Sequence, residues 1–237
     1  MPKLPAPSAL AACHDAHGTP EIGVDEAGRG PLFGRVYSAA VVLPKDDTFE
    51  HARMKDSKKF HSVKKIGEAA QYIKDNAVFW AVAWRDESDI GVMNIRQATF
   101  RAMHSAVRQI IGRGGTDMLI LVDGNDFKPM TTFDDTLQCQ VAIPHMCFEG
   151  GDNTYSAIAA ASILAKTERD RYIEDMCLKY PLLDEQYGMR SHKGYGTRRH
   201  LDAIRKHGVS PWHRKSFGMC KTASDNCGFV GVEKYSL

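Results

Sequence analysis

The sequence predicts an α/β layered domain with a mixed β-sheet. Two neighbouring β-like runs open the pattern, and strand-like and helix-like segments alternate after them. A length of 237 residues, 43% of them hydrophobic, suffices for one large core. Residues 1–20, MPKLPAPSALAACHDAHGTP, precede this pattern; rich in proline and poor in large apolar side chains, they are expected to form a flexible leader.

EIGVD (21–25) reads as the first strand and GRVYSAAVVLP (34–44) as the second, with a glycine loop between them. SVKKIGEAAQYIKD (62–75) has helical spacing that puts Val63, Ile66, Ala69, Ala70 and Ile73 on one face. NAVFWAVAW (76–84) reads as a third strand. NIRQATFRAMHSAVRQIIG (94–112) is a longer helix that stops at a glycine-rich GRGG. DMLILVDGN (117–125) is a continuous apolar strand, of the buried kind, that ends in an acid and a turn. QVAIPHMC (140–147) reads as one more strand. TYSAIAAASILAKTERDRYIEDMCLKY (154–180) is a long helix whose small face, Ala157, Ala160 and Ala161, permits close packing on a sheet. From Pro181 the chain holds loops and a helix near TRRHLDAIRKHG (197–208).

Composition excludes several classes. No apolar run approaches 18 residues, and AVFWAVAW at 77–84 suits a buried strand, so no membrane span is expected. No basic-then-apolar start marks a secretory signal. The six cysteines (13, 139, 147, 177, 220, 227) form no CxxC pair; they read as small buried side chains in a reducing, cytoplasmic setting. His213, Cys220 and Cys227 match no standard zinc spacing. The formal net charge is only +2, so affinity for nucleic acid must come from local clusters.

The acids carry the strongest chemical signal. Asp25 and Glu26 stand together where a strand ends, and Asp123 ends LILVD. Sites in open α/β sheets form beyond strand ends, so acids from two such ends can converge. Asp152, in EGGDNTY, lies just before the long helix, whose positive end favours the ionised acid. Four carboxylates with no matching His or Cys set favour a hard cation, Mg²⁺ or Mn²⁺, over zinc. Taken singly, Asp123 is also a good turn residue and Asp152 a reasonable cap. Asp170 is a rival to Asp152, but 18 residues along one continuous helix is roughly 27 Å, too far to share a site.

The loop GRGPLFG (28–34) has Phe33 where a dinucleotide fingerprint needs Gly or Ala, and a β-rich stretch follows it. What Gly28 and Gly30 offer is close approach of backbone N–H and C=O groups to a ligand. Basic groups recur in DSKKF (56–60), in HKGYGTRRH (192–200), where Tyr195 sits between two glycines, and in HRK (213–215). Charge runs are commonly solvated faces. An aromatic in a glycine loop among cations nevertheless suits a nucleic-acid groove, where cations meet phosphates and the ring packs on a sugar or base.

Taken together, GVDEAGRGPLFG, DSKKF, NIRQATFRAM, LVDGN, GDNTYSAIAAASILAKTERDR, HKGYGTRRHLDAIRKHG and HRKSF resemble type 2 ribonuclease H (ribonuclease HII), in the family order from about Ile22 to Phe217. Type 3 enzymes typically carry GTG where this chain has GRG, so Arg29 favours type 2. The resemblance implies an RNase H-like fold: a five-stranded mixed sheet flanked by helices, with a small helical C-terminal part. The implied organisation is a leader at 1–20, a catalytic domain at 21–180, a helical part at 181–221 that contributes to the substrate groove, and a tail at 222–237.

The resemblance also implies function. It implies hydrolysis of the RNA strand of RNA–DNA hybrids and cutting on the 5′ side of single ribonucleotides in duplex DNA. Two divalent ions, Mg²⁺ or Mn²⁺, would be held by Asp25, Glu26, Asp123 and Asp152. Gly28, Arg29 and Gly30, with Tyr195, match the reader of the ribose 2′-OH; Lys58 matches a phosphate-contacting lysine, and Asn94 is a further nucleic-acid contact. The partners implied are RNA–DNA hybrid and ribonucleotide-containing duplex DNA, with no membrane. A monomer is expected, as archaeal and bacterial members act alone. FEGG before Asp152 departs from the family, many members of which carry a lysine there. Two other classes stay open from the residues alone: a metal-dependent nuclease for DNA junctions, and a non-catalytic hybrid-binding protein.

Overall fold

The computed structural model describes residues 10–134 and 138–232. In chain order its strands are β1 (Glu21–Ala27), β2 (Val36–Val42), β3 (Phe79–Arg85), β4 (Leu119–Asp123), β5 (Thr131–Asp134), β6 (Cys139–Ala142) and β7 (His145–Phe148). The helices are α1 (Val63–Asn76), α2 (Glu87–Met93), α3 (Ile95–Gly114), α4 (Ser156–Lys179), α5 (Leu182–Tyr187), α6 (Met189–His192) and α7 (Arg198–His207). A five-stranded mixed sheet has the order β3-β2-β1-β4-β7, and β5 and β6 form a separate antiparallel pair. This is the α/β architecture expected.

Two compact units share the chain. One comprises residues up to Glu26, Ser38–Ala83 and Met103–Thr167; the other comprises Ala27–Tyr37, Trp84–Ala102 and Glu168 onward. In the first unit β1 and β4 run parallel, with Gly23 opposite Leu121 and Val24 opposite Val122. Ile22, Val24, Ile120, Leu121 and Val122 are fully buried. A strand covered on both faces needs such an unbroken apolar run. The opening turns of α4, from Ala157 to Ala165, are buried all round and apolar but for Ser162, as an interior helix should be. In the second unit, Val36, Ile90 and Ala98 form a buried cluster with Met93, Ile95 and Phe217 against it.

Several elements depart from the expected ones. QVAIPHMC is not one strand: Ile143 and Pro144 break it, β6 pairs with β5, and β7 pairs in parallel with β4. Proline has no N–H for a ladder, which explains the break. The α1 stripe is buried from Ile66 onward, but Val63 is 90% exposed, one turn before the stripe reaches the core. Helix α2 was not anticipated; Asp86 starts it by accepting from the N–H groups of Ser88 and Asp89. Of the cysteines, only Cys177 and Cys220 are buried, and Cys139 and Cys227 are exposed.

The leader expected over residues 1–20 is described from residue 10. Ala11 donates to Thr154 O and accepts from Ser156 N, and the Glu21 carboxylate accepts from the N–H groups of His14 and Asp15. No helix among the described residues is long and apolar enough to cross a membrane.

The close approach of β1 and α4 is set by Gly23. A Cβ there would lie 2.5 Å from Ile158 N and closer still to the Ala157 carbonyl, both of them backbone groups that cannot swing aside. Gly23→Ala should therefore destabilise the chain by at least about 3 kcal/mol, the upper end of ordinary overpacking. Chemical denaturation would measure it, and an unchanged midpoint would refute the packing.

Candidate active site

Parallel pairing builds the acidic site in the first unit. Val24 opposite Val122 brings together Asp25 and Asp123, the next residue of each strand: Asp123 ends β4, and Asp25 lies two residues before the end of β1, which runs on past the expected EIGVD. Asp123 in turn pairs with Phe148 of β7. The chain then turns through Gly150, in the left-handed region at φ 67°, into a short 3₁₀ turn over Gly151–Asn153 that carries Asp152. The Asp152 N–H faces Asp123 Oδ1 at 3.4 Å. A Cβ on Gly151 would lie 2.6 Å from Ile158 Cδ1 and 3.5 Å from Asp123 Oδ1, so this turn too is fitted tightly.

Asp25 and Asp152 are buried, whereas Glu26 and Asp123 are half-buried. Burial, followed by the negative charges of Glu26 and Asp123, pushes the Asp25 carboxyl well above the usual carboxylate range. The Ser162 side chain and the Glu26 N–H, 2.6 Å from Asp25 Oδ1, oppose that rise. Ser162 is itself 3.0 Å from the Ser57 hydroxyl. Burial and then the charges of Asp56 and Asp123 likewise raise Asp152, against Lys58 and the Asn153 amide.

Lys58 stands among these acids with its side chain 81% exposed; its Nζ is 3.9 Å from Asp152 and 4.0 Å from Asp56. Desolvation pulls its pKa down, but the charges of Asp56, Asp152, Asp25 and Asp123, in that order, hold it above its ordinary value. Asp56 is a site residue that sequence reasoning missed. It is buried and accepts from the Lys58 N–H, and so caps the short turn carrying the lysine. Aspartate just before a polar turn was the available signal. Lys59 reaches the other way and bonds Asn153, beside Asp152.

Among the described residues no group of three His, Cys, Asp or Glu side chains is arranged to hold a metal ion. The fit to a hard divalent cation lies in donor chemistry: oxygen ligands only, with acids raised by burial and then by the charges of neighbouring acids. Asp170 lies on unbroken α4, where its charge acts on Arg169, while Arg171 pairs with Glu168 at 3.2 Å.

The second unit holds the glycine loop and Tyr195. Gly28 has φ 94°, and a Cβ there would overlap the Arg169 guanidinium and come 3.0 Å from Arg35 O, so only glycine fits. Gly30 is open, with the Tyr195 ring 3.6 Å from where its Cβ would be. Arg29 and Tyr195 are exposed. Asn94 is exposed, and its side chain accepts from Gln97 N at 3.1 Å, capping α3. The HRK run is not a solvated face: His213 and Arg214 are buried and only Lys215 is exposed. Hydrogen bonding offsets the cost of burying them.

The Ser210 N–H donates to His213 Nδ1 at 2.9 Å, which leaves the His213 proton on Nε2. That nitrogen faces His200 Nε2 at 3.0 Å, and His200 Nδ1–H then donates to Tyr195 O at 2.9 Å. His192 stacks on His200 with centroids 4.6 Å apart. Burial lowers the pKa of His200 to about 4 and that of His213 well below 6.5. Below pH 6.5 the unfolded chain binds a proton that folded His200 refuses, so stability falls as pH drops from about 6.5 towards 4. His200 alone should contribute on the order of 3 kcal/mol to that fall. Denaturant midpoints at pH 7.5 and pH 4 measure it, and a His200→Asn chain with the same pH dependence as wild type would refute it.

Comparison with known proteins places the chain in a family. The family model for ribonuclease HII matches residues 22–220. Ribonuclease HII of Parabacteroides distasonis is 43% identical over 197 residues, spanning 83% of this chain and 89% of that protein. The crystal structure of the ribonuclease H2 from Pyrococcus horikoshii OT3 superposes with a TM-score of 0.63 at 23% identity, covering 85% of this chain and 95% of that one. Bst-RNase HIII in complex with Mn²⁺ gives 0.58 at 19% identity, covering 91% and 72% respectively. These two structures show the fold; the family model and the sequence relative show the family. The chain belongs to the ribonuclease HII family, the type 2 ribonucleases H.

Proposed function

We propose that this chain cuts the RNA strand of RNA–DNA hybrids and cuts on the 5′ side of single ribonucleotides in duplex DNA, leaving 3′-OH and 5′-phosphate ends. The observation that carries the reading is the convergence of Asp25, Asp123 and Asp152 on Lys58 in a chain of this family. Asp25, Glu26, Asp123 and Asp152 would hold two divalent ions, Mg²⁺ or Mn²⁺; the Mn²⁺ of the ribonuclease HIII neighbour supports a metal of this class. Such ions, when bound, supply an ionised water and charge stabilisation at the leaving 3′-oxygen.

The chain's own groups do the rest. Lys58 offers an exposed ammonium, kept protonated by the surrounding carboxylates, to a substrate phosphate. Gly28, Arg29 and Gly30 bring backbone to the ribose, and the Tyr195 hydroxyl completes a reader for the 2′-OH, the group that distinguishes RNA from DNA. Asn94 adds a polar contact to the nucleic acid, and the helical part at 181–221 contributes Tyr195 to substrate binding. The chain acts as a monomer on hybrid and on ribonucleotide-containing duplex.

A labelled DNA duplex with one ribonucleotide should be cut with Mg²⁺ and not with EDTA, while an all-DNA duplex stays intact. Asp123→Asn should lower that cleavage by roughly two to three orders of magnitude, the scale for loss of one charge-stabilising group. Cutting of the all-DNA duplex would favour a junction-type nuclease, and full activity of Asp123→Asn would remove that acid from the site. Separately, Tyr195→Phe should lower cleavage at the single ribonucleotide roughly tenfold, one hydrogen bond's worth, with an unchanged melting temperature. Normal cutting by that variant would end its assignment as reader.

A further inference from the structure

One buried side chain decides which way the peptides of the glycine loop face. Arg214 is fully buried, and a guanidinium carries five N–H donors in a planar fork. Its Nε donates to Gly34 O at 2.8 Å. One terminal nitrogen donates to Arg29 O at 3.0 Å and Pro31 O at 2.8 Å; the other donates to Gly28 O at 2.6 Å and Arg35 O at 3.1 Å. Every donor of the fork thus meets a carbonyl of residues 28–35. Burial, and then the charge of Arg169, lower its pKa to about 9, which leaves it charged at neutral pH.

A trans peptide holds its N–H antiparallel to its C=O, and no cis bond occurs among the described residues. Each carbonyl turned onto Arg214 therefore turns the next residue's N–H away from it. The Pro31–Leu32 peptide shows the result: Pro31 O lies on Arg214, and Leu32 N donates at 2.8 Å to the carbonyl of Gly194, the residue before Tyr195. The same rule turns the N–H groups of Arg29 and Gly30 away from Arg214, because Gly28 O and Arg29 O are both on the guanidinium. Arg169 fastens the adjoining carbonyls, taking Lys193 O at 2.8 Å and Phe33 O at 3.5 Å.

We propose that Arg214 is a positioning residue for ribose recognition: by gathering the loop carbonyls it presents the N–H groups of Arg29 and Gly30 as two preset donors for the 2′-oxygen and its neighbouring phosphate. This rests on the ribose-reading role proposed above. It makes the fork essential, not merely the charge, because a lysine has only three donors on one atom and cannot span five carbonyls.

The test compares wild type with Arg214→Lys on the single-ribonucleotide duplex, alongside thermal melting and amide NMR. The NMR arm uses the same duplex and its all-DNA counterpart, with Ca²⁺ in place of Mg²⁺ so that nothing is cut. Arg214→Lys should fold and lose about 100-fold in turnover, the effect of a misplacement near 1 Å, with KM changed far less. In wild type the Arg29 and Gly30 amides should shift with the ribonucleotide duplex and not with all-DNA. A folded Arg214→Lys chain with wild-type turnover overturns the proposal. Should that variant not fold, the wild-type amides decide: shifts specific to the ribonucleotide support it, and amides indifferent to the ribose overturn it. A wild-type chain that cuts no ribonucleotide at all overturns the ribose-reading role itself, a distinguishable failure.

Discussion

Repulsion among carboxylates is the constraint on which the acidic site depends. Asp25 is buried beside Glu26 and feels Asp123, and Asp152 feels Asp123 and Asp56. Such groups separate unless the backbone forbids it. Here the backbone does forbid it: parallel pairing fixes Asp25 against Asp123, and the tight Gly150–Gly151 turn fixes Asp152. Gly23 lets the first turn of α4 press on β1, and the all-buried opening of that helix anchors the turn bearing Asp152. The fold spends rigidity on holding like charges together, and a bound cation is the natural reason for doing so.

Lys58 qualifies that picture. Its ammonium already answers part of the negative charge, and Asp56, through a backbone cap and an ion pair, holds it where it does so. An exposed cation near 4 Å from two acids is loosely held, since such pairs contribute little in water. That looseness suits the phosphate contact proposed for Lys58, which would exchange carboxylates for a phosphate.

The outline of this structure is legible in the sequence because it rests on periodicity and on strand ends. The runs at 21–25 and 117–125 announced buried strands, and their terminal acids announced the convergence of Asp25 and Asp123. Pro144 was a visible signal that QVAIPHMC changes partner, but the apolar run on either side concealed it. Asp56 stayed hidden because DSKKF draws attention to its lysines. Arg214 could not be found this way: a basic run reads as solvated, and its five carbonyl partners, brought together from residues 28–35, leave no periodic trace.

The two units bury charge in opposite ways, and the difference separates scaffold from working group. Arg214 is desolvated but fully satisfied, each N–H on a carbonyl, and a charge so bonded is costly to disturb and has nothing left to offer a ligand. Asp25 is desolvated too, but after burial it is the charges of Glu26 and Asp123 that most raise its carboxyl, so a cation beside it would be stabilising. A buried charge saturated by carbonyls fixes geometry, whereas one crowded by like charges favours a cation beside it. By that criterion the role proposed for Arg214 runs through the backbone it holds, and the role proposed for Asp25 is direct contact with a cation.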